Sequence, residues 1–464
     1  MTDVLPRHGL LIGGAEVMTA EWMDVTDPST GRAFAQVGAA TVTDVDHAVG
    51  AARAALGAWR ATPPLERAQA IARFARALDE EAPQIAELIH REEGKPLGEA
   101  QMEVARACEV VHHFAGEAER LTHTMLPAGS GGRGSEIRPD GIGVVAAITP
   151  WNFPVALVIW KLAPALAAGC CVIVKPAQEA PLAARAVCEV ANRSGLPAGV
   201  VSCVTGDGPT LGEALSTHPG IDKVAFTGSR RVAELIAAWA SPRLKALSLE
   251  LGGHGPLVVL DDADLDVAVD VAISQGYANA GQACYSVNRV FIPRSLASDF
   301  LERFRRRMEQ VVLGPLATDR GVVRHHELIA DAQAHGATIE GGDLIEGARF
   351  APALITNAGP GTRVVEDEPF TPIVTVLAYD DLAAAIAEAN RPDYGLVGYV
   401  CGADLRRTQD VAHAIECGTV VINGWRVVVP YAPYAGWRGS GIGCELGRPG
   451  LEAFIRWQHV RTLA

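Results

Sequence analysis

Short apolar runs that end in turn residues alternate with helical stretches through the chain, and this pattern limits the fold more than any other feature. The runs GIGVVAAITP, CCVIVKPA, GVVSCVTG and KVAFTGS are typical of buried strands, and the stretches between the first three have helical spacing. A second set begins near Gly252 with GPLVVLDD, NRVFIP, FTPIVTVLAY and GTVVING. Buried strands that alternate with helices form parallel sheets. The pattern therefore predicts two α/β domains that join near Glu250–Gly253.

The flanking segments have a different character. Val42 to Glu119 has mainly helical spacing, with Thr43 or Asp44 as the expected N-cap of the first helix. Residues 127–139 are rich in glycine and polar residues, which predicts an exposed hairpin or loop. The C-terminal LEAFIRWQHVRTLA is expected to be a strand that pairs elsewhere in the fold.

Composition excludes several classes of protein. The 464 residues are 49% hydrophobic and 20% charged, which is typical of a soluble globular chain. A net charge of −14 argues against a nucleic acid or an anionic membrane as partner. No signal peptide and no membrane-spanning apolar run is visible, so a cytoplasmic location is expected. The nine cysteines form no CxxC pair, and no metal-ligand spacing is present, so we predict no metal site.

Polar motifs follow the expected strands. TPWNFP, KPA and FTGS stand at the carboxyl ends of strands in the first half, where parallel sheets bind ligands. The Gly228–Ser229 turn precedes a helix and suits a phosphate, although Ala233 stands where a full dinucleotide fingerprint has a second glycine. Glu250 follows an apolar run, which is unusual for a solvated charge. Cys284 lies behind a small, flexible lead-in, NAGQA.

Taken in order, TPWNFP, KPA, FTGS, ELGG, GQAC, DEPFTPI and PYAGWRGSGIGCELG resemble the aldehyde dehydrogenase superfamily over essentially the whole chain. The resemblance implies an α/β fold of two Rossmann-like domains and a small β bridging element. It places the NAD(P)-binding domain at residues 1–120 and 140–250, and the catalytic domain at residues 251–450. The bridging element, at residues 121–139 and 451–464, is expected to build a homodimer or homotetramer.

The resemblance also implies catalytic roles. Cys284 matches the family nucleophile, whose site is expected to favour the thiolate, since the thiolate is what attacks an aldehyde carbon. Asn152 matches the donor that stabilises the resulting oxyanion together with the Cys284 backbone N–H. Glu250 matches the general base that activates water. Lys161 and Glu445 match a pair proposed to relay protons from that base.

The implied cofactor is NAD or NADP. By resemblance, Lys175 holds the adenosine ribose, and the pyrophosphate lies at the turn before the helix. Gln178 stands where many NAD-preferring members have a glutamate, so neither cofactor is favoured. The full set of expected cofactor residues is Thr149, Trp151, Lys175, Gln178, Thr227, Gly228, Ser229, Glu368 and Phe370.

The substrate pocket is less well defined by sequence. DDADLDVAV and NRPDYGLVGYV are similar to the succinate semialdehyde dehydrogenase branch, but Trp160 and Ala278 replace the two arginines that hold its carboxylate. An unpaired buried carboxylate is costly. We therefore expect a bulky apolar or aromatic aldehyde as substrate. An acidic semialdehyde held by Arg426 is the alternative, although Arg426 can equally be a solvated loop arginine. The expected substrate residues are Phe153, Trp160, Tyr285, Arg426 and Tyr434.

Three functions remain open. Glu250 favours hydrolysis of the acyl enzyme, because members that pass the acyl group to CoA generally lack this glutamate. A non-catalytic relative is the third reading, but such chains tend to lose the cysteine, asparagine or base that are all present here. The segment at residues 308–333 is shorter than is usual in the family, and its effect is open.

Overall fold

The computed structural model describes residues 5–127 and 132–463 of the chain. Its strands, in chain order, are β1 Arg7–His8, β2 Leu10–Ile12, β3 Ala15–Val17, β4 Trp22–Asp27, β5 Arg32–Gly38, β6 Thr124–Leu126, β7 Gly132–Gly141, β8 Val144–Ile148, β9 Cys171–Lys175, β10 Val201–Cys203, β11 Lys223–Thr227, β12 Ala246–Glu250, β13 Gly255–Val259, β14 Val287–Pro293, β15 Thr338–Gly341, β16 Leu344–Glu346, β17 Arg349–Phe350, β18 Ala353–Thr356, β19 Ile373–Tyr379, β20 Val397–Cys401, β21 Thr419–Ile422, β22 Gly441–Ile442 and β23 Ile455–Leu463.

Its helices are α1 Val42–Ala61, α2 Pro64–Glu93, α3 Leu97–Glu119, α4 Ala156–Ala168, α5 Leu182–Arg193, α6 Gly208–Thr217, α7 Arg230–Ala240, α8 Leu265–Gly276, α9 Ala297–Met308, α10 Asp319–Ala334, α11 Arg363–Glu366, α12 Leu382–Asn390, α13 Leu405–Ala414 and α14 Gly447–Glu452.

The first large sheet has the order β22-β12-β11-β8-β9-β10-β2-β3 in the described part of the chain. Strands β12, β11, β8, β9 and β10 are parallel, and α4 to α7 connect them. The four strands expected in this half are confirmed as β8 to β11. Strand β12 was not recognised as a strand from the sequence, because its apolar run was noted only as a lead-in to Glu250.

The second large sheet has the order β15-β18-β19-β14-β13-β20-β21. Its strands are parallel except for β15, which is antiparallel to β18. The expected strands are confirmed as β13, β14, β19 and β21, and β15, β18 and β20 complete the sheet. The α/β fold class predicted from alternation is therefore confirmed.

The predicted C-terminal strand is also confirmed. Strand β23 pairs antiparallel with β7 from Ile455 to Leu463, and β7 pairs with β6, which gives a three-stranded sheet. Residues 127–139 were predicted to form an exposed hairpin or loop. Residues 132–139 belong to β7, which pairs with the preceding β6, and residues 128–131 lie outside the described part. Large apolar side chains are exposed on this sheet, among them Met125 and Trp457.

Two features join the large sheets. One continuous hydrophobic core contains residues of both, such as Ile173 of β9 and Val290 of β14. Strand β22, from the expected catalytic segment, pairs with β12 of the first sheet through Leu249–Ile442 and Glu250–Gly441. The domain boundaries given above stay predictions, but this pairing brings the C-terminal segment to the end of β12.

The expected N-cap of α1 was wrong by two or three residues. Thr41 is the N-cap: its side chain accepts a hydrogen bond from the Asp44 N–H, and the Asp44 carboxylate accepts one from the Thr41 N–H. This reciprocal capping box satisfies two N-terminal donors at once, so the helix begins at Val42. No helix among the described residues has the length and hydropathy needed to cross a membrane.

Candidate active site

Four of the expected site residues lie at one edge of the first sheet. Lys175, Thr227 and Glu250 are the last residues of β9, β11 and β12, and Thr149 follows β8. The registers align these ends, since Ile148 pairs with Lys175 and Thr227 pairs with Glu250. Because these strands are parallel, their carboxyl ends form a common edge, as expected for a ligand site.

The loop before Cys284 has an uncommon backbone. Asn279 and Ala280 have φ values of 49° and 54°, and Gly281 has φ of 74°. Left-handed backbone in non-glycine residues costs free energy and persists only where surrounding contacts hold it. Asn279 provides those contacts: its N–H donates to Glu99 at 2.8 Å, and its side-chain amide donates to Glu93 at 2.8 Å.

Asn152 is attached to the same loop. Its side-chain Nδ2 donates to the Gln282 carbonyl at 2.9 Å, two residues before the cysteine. Its own carbonyl accepts from the Asn279 side chain at 3.0 Å and from Lys95 Nζ at 2.8 Å. The structure thus brings the expected oxyanion donor and the expected nucleophile together through shared hydrogen bonds.

Lys95 belongs to a buried charge network that the sequence analysis did not identify. Its ammonium donates to Glu103 at 2.6 Å, and both side chains are almost fully buried. Burial alone would lower the pKa of Lys95, but the Glu103 and Glu93 carboxylates outweigh it and raise the pKa. Glu103 also accepts from the N–H groups of Val155 and Ala156, just after the TPWNFP motif. The only sequence signal was the cluster of charges in EEGKPL at a helix end.

The surroundings of Cys284 keep its sulfur as a thiol at neutral pH. Burial raises the pKa of Cys284 to about 12, and the Glu368 and Glu250 carboxylates add to that shift. The Tyr434 hydroxyl, 3.5 Å from the sulfur, opposes it. The expectation that the site favours a thiolate is therefore wrong for this structure, because desolvation outweighs the single hydrogen bond.

Glu250 is buried without a partner for either carboxylate oxygen among the described residues. Burial raises its pKa well above the usual range, and the neighbouring Glu445 adds to the effect while Lys161 opposes it. Lys161 Nζ lies 2.6 Å from Glu445 and 2.6 Å from the Thr227 hydroxyl. Glu250 is thus a buried carboxyl group whose neutral form is favoured by its surroundings, beside the Lys161–Glu445 ion pair.

The backbone connects this group to the cysteine. Tyr434 and Glu445 exchange main-chain hydrogen bonds of 2.7 and 2.8 Å, so the hydroxyl beside Cys284 and the carboxylate beside Lys161 are on neighbouring segments. A Cβ on Gly253, three residues after Glu250, would overlap the Cys284 carbonyl oxygen. The five expected catalytic residues therefore converge on one place.

The sheet edge also offers donors for an anionic ligand. Lys175 Nζ is buried and donates only to the adjacent Pro176 carbonyl at 3.0 Å among the described residues. Burial lowers the pKa of this ammonium. At the start of α7, the N–H groups of Arg230 and Arg231 have no backbone acceptor within the described ranges, and Ser229 makes no side-chain cap. Gln178 and Ser229 are exposed at this edge.

A ring pair and a carboxylate lie between this edge and Cys284. The Trp151 and Phe370 rings are edge to face with centroids 5.8 Å apart. Glu368 accepts a hydrogen bond from the Gly253 N–H at 3.0 Å, and burial raises the pKa of this carboxyl to about 7. Arg324 of α10 donates to the carbonyls of Pro369 and Glu368. The shortened segment thus supplies a support for this loop that the sequence did not indicate.

These groups fit a dinucleotide. A buried ammonium and free helix N–H groups suit a diol and a pyrophosphate, and paired aromatic rings beside a carboxyl group suit a base and its ribose. Asp, Glu, His and Cys side chains form no metal-binding group within the described part of the chain.

A cavity of about 380 Å³ opens on Cys284. Phe153, Trp160 and Tyr285 line it as expected, and Ala156 and Ala278 leave room. The Phe153 and Tyr285 rings lie 5.6 Å apart, and Tyr434 packs against Trp160 at 5.1 Å.

Arg426 is a solvated loop arginine in this structure and not a residue of the cavity wall. The Arg426 guanidinium donates to Glu109 at 3.1 Å and is 56% exposed, whereas its neighbours Trp425 and Val427 line the cavity. An arginine is more stable beside a solvated carboxylate than unpaired against apolar walls. Arg106, on helix α3, is the arginine that does line the cavity.

Comparison with known proteins gives consistent matches. The model of the aldehyde dehydrogenase family matches residues 16–460. The chain is 37% identical to a probable succinate-semialdehyde dehydrogenase [NADP(+)] of Sinorhizobium fredii, over 94% of the chain and 92% of that relative. It is 36% identical to a glutarate-semialdehyde dehydrogenase of Pseudomonas putida, over 96% of each. The crystal structure of an NAD-dependent aldehyde dehydrogenase from Sinorhizobium meliloti superposes with a TM-score of 0.97 at 29% identity, covering 99% of this chain and 95% of that one.

Proposed function

The chain belongs to the aldehyde dehydrogenase family, and we propose that it oxidises an aldehyde to a carboxylic acid through an acyl intermediate on Cys284. It is an NAD(P)-dependent enzyme of that family. The observation that carries the proposal is the convergence of Cys284, Asn152 and Glu250 from three different segments, with hydrogen bonds from Asn152 and Tyr434 reaching the cysteine loop and its sulfur.

NAD or NADP, when bound, supplies the acceptor for the hydride of the aldehyde carbon. Lys175 and the first N–H groups of α7 are the proposed contacts for its ribose and pyrophosphate. Trp151, Phe370 and Glu368 are the proposed contacts at the other end, because they lie between the sheet edge and Cys284. The oxidised nicotinamide ring of the cofactor is positively charged. Its binding near Cys284 would also favour the thiolate over the thiol.

Cys284 attacks the aldehyde carbon after giving up its proton. The negative charge then moves to the former carbonyl oxygen. The Asn152 side-chain amide keeps one N–H beyond the bond to Gln282, and it stabilises this oxygen together with the Cys284 N–H. Lys95 and Asn279 hold the Asn152 carbonyl, so the donor is positioned before the reaction begins.

Glu250 removes a proton from the water that hydrolyses the thioester. Burial raises the pKa of this carboxyl group, so the protonated form has to give up its proton before it acts as a base, and the Lys161–Glu445 pair is the proposed route for that proton. The presence of this base supports water as the acyl acceptor. CoA as acceptor is the second candidate, and a non-catalytic role is disfavoured by the assembled site.

The cavity supports a bulky, largely apolar or aromatic aldehyde as substrate. Aromatic rings from Phe153, Trp160 and Tyr285 form much of its wall. Two of the relatives named above are a probable succinate-semialdehyde dehydrogenase and a glutarate-semialdehyde dehydrogenase, and both of these semialdehydes carry an acid group. The alternative of an acidic aldehyde therefore stays open, but through a residue other than Arg426.

The β6-β7-β23 sheet is the proposed oligomerisation surface. Met125 is 71% exposed, and Trp457 and Leu463 are also exposed. Apolar surface of this kind on a sheet favours burial against another copy of the chain. Light scattering of the protein and of a Trp457→Glu variant tests this proposal, and an unchanged mass would contradict it.

The activity is tested by the absorbance of reduced nicotinamide. A panel of aliphatic, aromatic and acidic aldehydes is assayed with NAD and with NADP, each with and without CoA. Turnover that is independent of CoA and absent in Cys284→Ala supports the hydrolytic mechanism. Turnover only with CoA supports the second candidate. No turnover with any aldehyde, while NAD(P) still binds, would overturn the proposal.

A further inference from the structure

Among the described residues, one cation that lines the substrate cavity is not paired with a protein carboxylate. Arg106, on helix α3, lines the cavity and is half-buried. Within the described ranges its guanidinium makes no ion pair and no side-chain hydrogen bond, and it lies 5.9 Å from the centre of the Trp425 ring. Arginine side chains at buried positions normally have an anionic partner.

The acidic side chains of the same wall are already engaged by the protein. Glu103 is bonded to Lys95 and to two backbone N–H groups. Glu99 accepts the Asn279 N–H at 2.8 Å, and burial raises its pKa. Both carboxyl groups are therefore engaged by other groups of the protein, which leaves Arg106 available to a ligand.

The helix geometry directs Arg106 into the cavity. Glu99, Met102, Glu103 and Arg106 all line it, and their spacing of three and four residues places them on one face of α3. Arg106 is two turns from Glu99, which is roughly 10 Å along the helix axis. An anionic group near Arg106 is thus kept away from the Glu99 carboxyl.

We infer that Arg106 recognises an anionic group, a carboxylate or a sulfonate, at the end of the aldehyde remote from the reacting carbon. This inference rests on the proposed function and narrows its substrate class. The apolar and aromatic walls between Arg106 and Cys284 fit a hydrocarbon or aromatic spacer. The acid is held by a planar guanidinium, which forms paired hydrogen bonds with such oxygens.

The test compares matched pairs of substrates. The wild-type enzyme is assayed with 4-formylbenzoate against its methyl ester, with 4-formylbenzenesulfonate against the sulfonamide, and with glutarate semialdehyde against pentanal. We expect higher kcat/KM for the acidic member of at least the aromatic pairs. Arg106→Gln should lower kcat/KM for acidic aldehydes by about 10–100-fold and leave the neutral ones within about twofold. Arg106→Lys should retain part of the preference.

Arg120→Gln is the matched control. Arg120 is the exposed C-cap of the same helix α3, and it is paired with Glu117. An equal loss for neutral and acidic aldehydes in Arg106→Gln would overturn the inference, because it would indicate a structural role. A preference removed by Arg426→Gln instead would also overturn it. The values of kcat/KM for 4-formylbenzenesulfonate and 4-formylbenzoate show whether a sulfonate or a carboxylate is the preferred group.

A binding measurement tests the anion site at Arg106 independently of the proposed dehydrogenase activity. Titration of terephthalate and of its uncharged dimethyl ester requires no turnover and is followed by tryptophan fluorescence, to which Trp425 beside Arg106 contributes. Tighter binding of terephthalate to the wild type, lost in Arg106→Gln, supports the anion site even if every aldehyde is inert. Equal affinity of the wild type for both compounds, with turnover of neutral aldehydes, would overturn the anion site and leave the dehydrogenase activity standing.

Discussion

Lys95 Nζ donates a hydrogen bond of 2.8 Å to the main-chain carbonyl of Asn152. The lysine follows helix α2, and the asparagine follows strand β8, 57 residues later. The same ammonium is paired with Glu103 in the interior. A buried ion pair thereby holds the residue that is proposed to stabilise the oxyanion.

Lys95→Met should destabilise the protein strongly, because it leaves the Glu103 carboxylate buried without its partner. Loss of one member of a buried pair costs about 3–5 kcal/mol. Urea unfolding measures the change. The double variant Lys95→Met/Glu103→Gln should recover part of the loss, since no charge is left unpaired.

The surface pair Arg294–Asp380 is the control for that experiment. Arg294 is 63% exposed, so Arg294→Met should cost at most about 1 kcal/mol. Similar costs for the two single variants would show that burial of the Lys95 pair has no special role.

Tyr434→Phe should slow the reaction of Cys284 with iodoacetamide. The Tyr434 hydroxyl is the neighbouring group that lowers the thiol pKa against a burial effect that raises it to about 12. Loss of one hydrogen bond to the thiolate should reduce the alkylation rate at pH 8 by about tenfold. Tyr431→Phe, on the same segment but 70% exposed, is the control and should react like the wild type. Equal rates for both variants would contradict the assigned contact.

Glu250→Gln should stop the reaction at the acyl enzyme. Loss of a general base typically reduces the rate by about 10²–10⁴. Intact-mass measurement after mixing with aldehyde and cofactor should show the acyl group on the protein, accompanied by a single burst of reduced nicotinamide. A variant that turns over at the wild-type rate would exclude Glu250 as the base.

The same substitution should change stability in a pH-dependent way. The folded-state pKa of Glu250 lies above its ordinary value of 4.5, so the folded protein binds this proton more tightly than the unfolded chain. The contribution of this group to the free energy of unfolding is fully present below about pH 4.5, and it is lost as pH rises towards the folded-state pKa. Glu250→Gln should therefore gain stability relative to the wild type as pH rises above 4.5, measured by urea unfolding. A difference that shrinks as pH rises would contradict the buried, neutral carboxyl.

Gly253→Ala should inactivate the enzyme while leaving it folded. The added Cβ would overlap the Cys284 carbonyl oxygen and displace the nucleophile. A displacement of about 1 Å is enough to cost about 10²-fold in rate. Gly50→Ala, in helix α1 with open space at its Cβ, should instead stabilise the protein by about 0.5–1 kcal/mol. Assays and circular dichroism of both variants check the contrast, and full activity of Gly253→Ala would disprove the close approach.

The sequence by itself determined the α/β class, the eight strands named from apolar runs, the C-terminal strand and the family. These features are encoded locally: an apolar run bounded by turn residues can pair in few ways, and motifs such as GQAC are contiguous. Strand β12 and the N-cap at Thr41 were missed because short local signals admit neighbouring boundaries.

Only the tertiary structure decided what surrounds those motifs. The sequence left Arg426 as either a substrate contact or a solvated arginine, and the structure pairs it with Glu109. Arg106, which no motif marks, lines the cavity. The contact of Lys95 with Asn152 and the neutral state of Cys284 likewise depend on segments far apart in the chain. Burial and charge come from the packing of many such segments at once, so a single local pattern does not fix them.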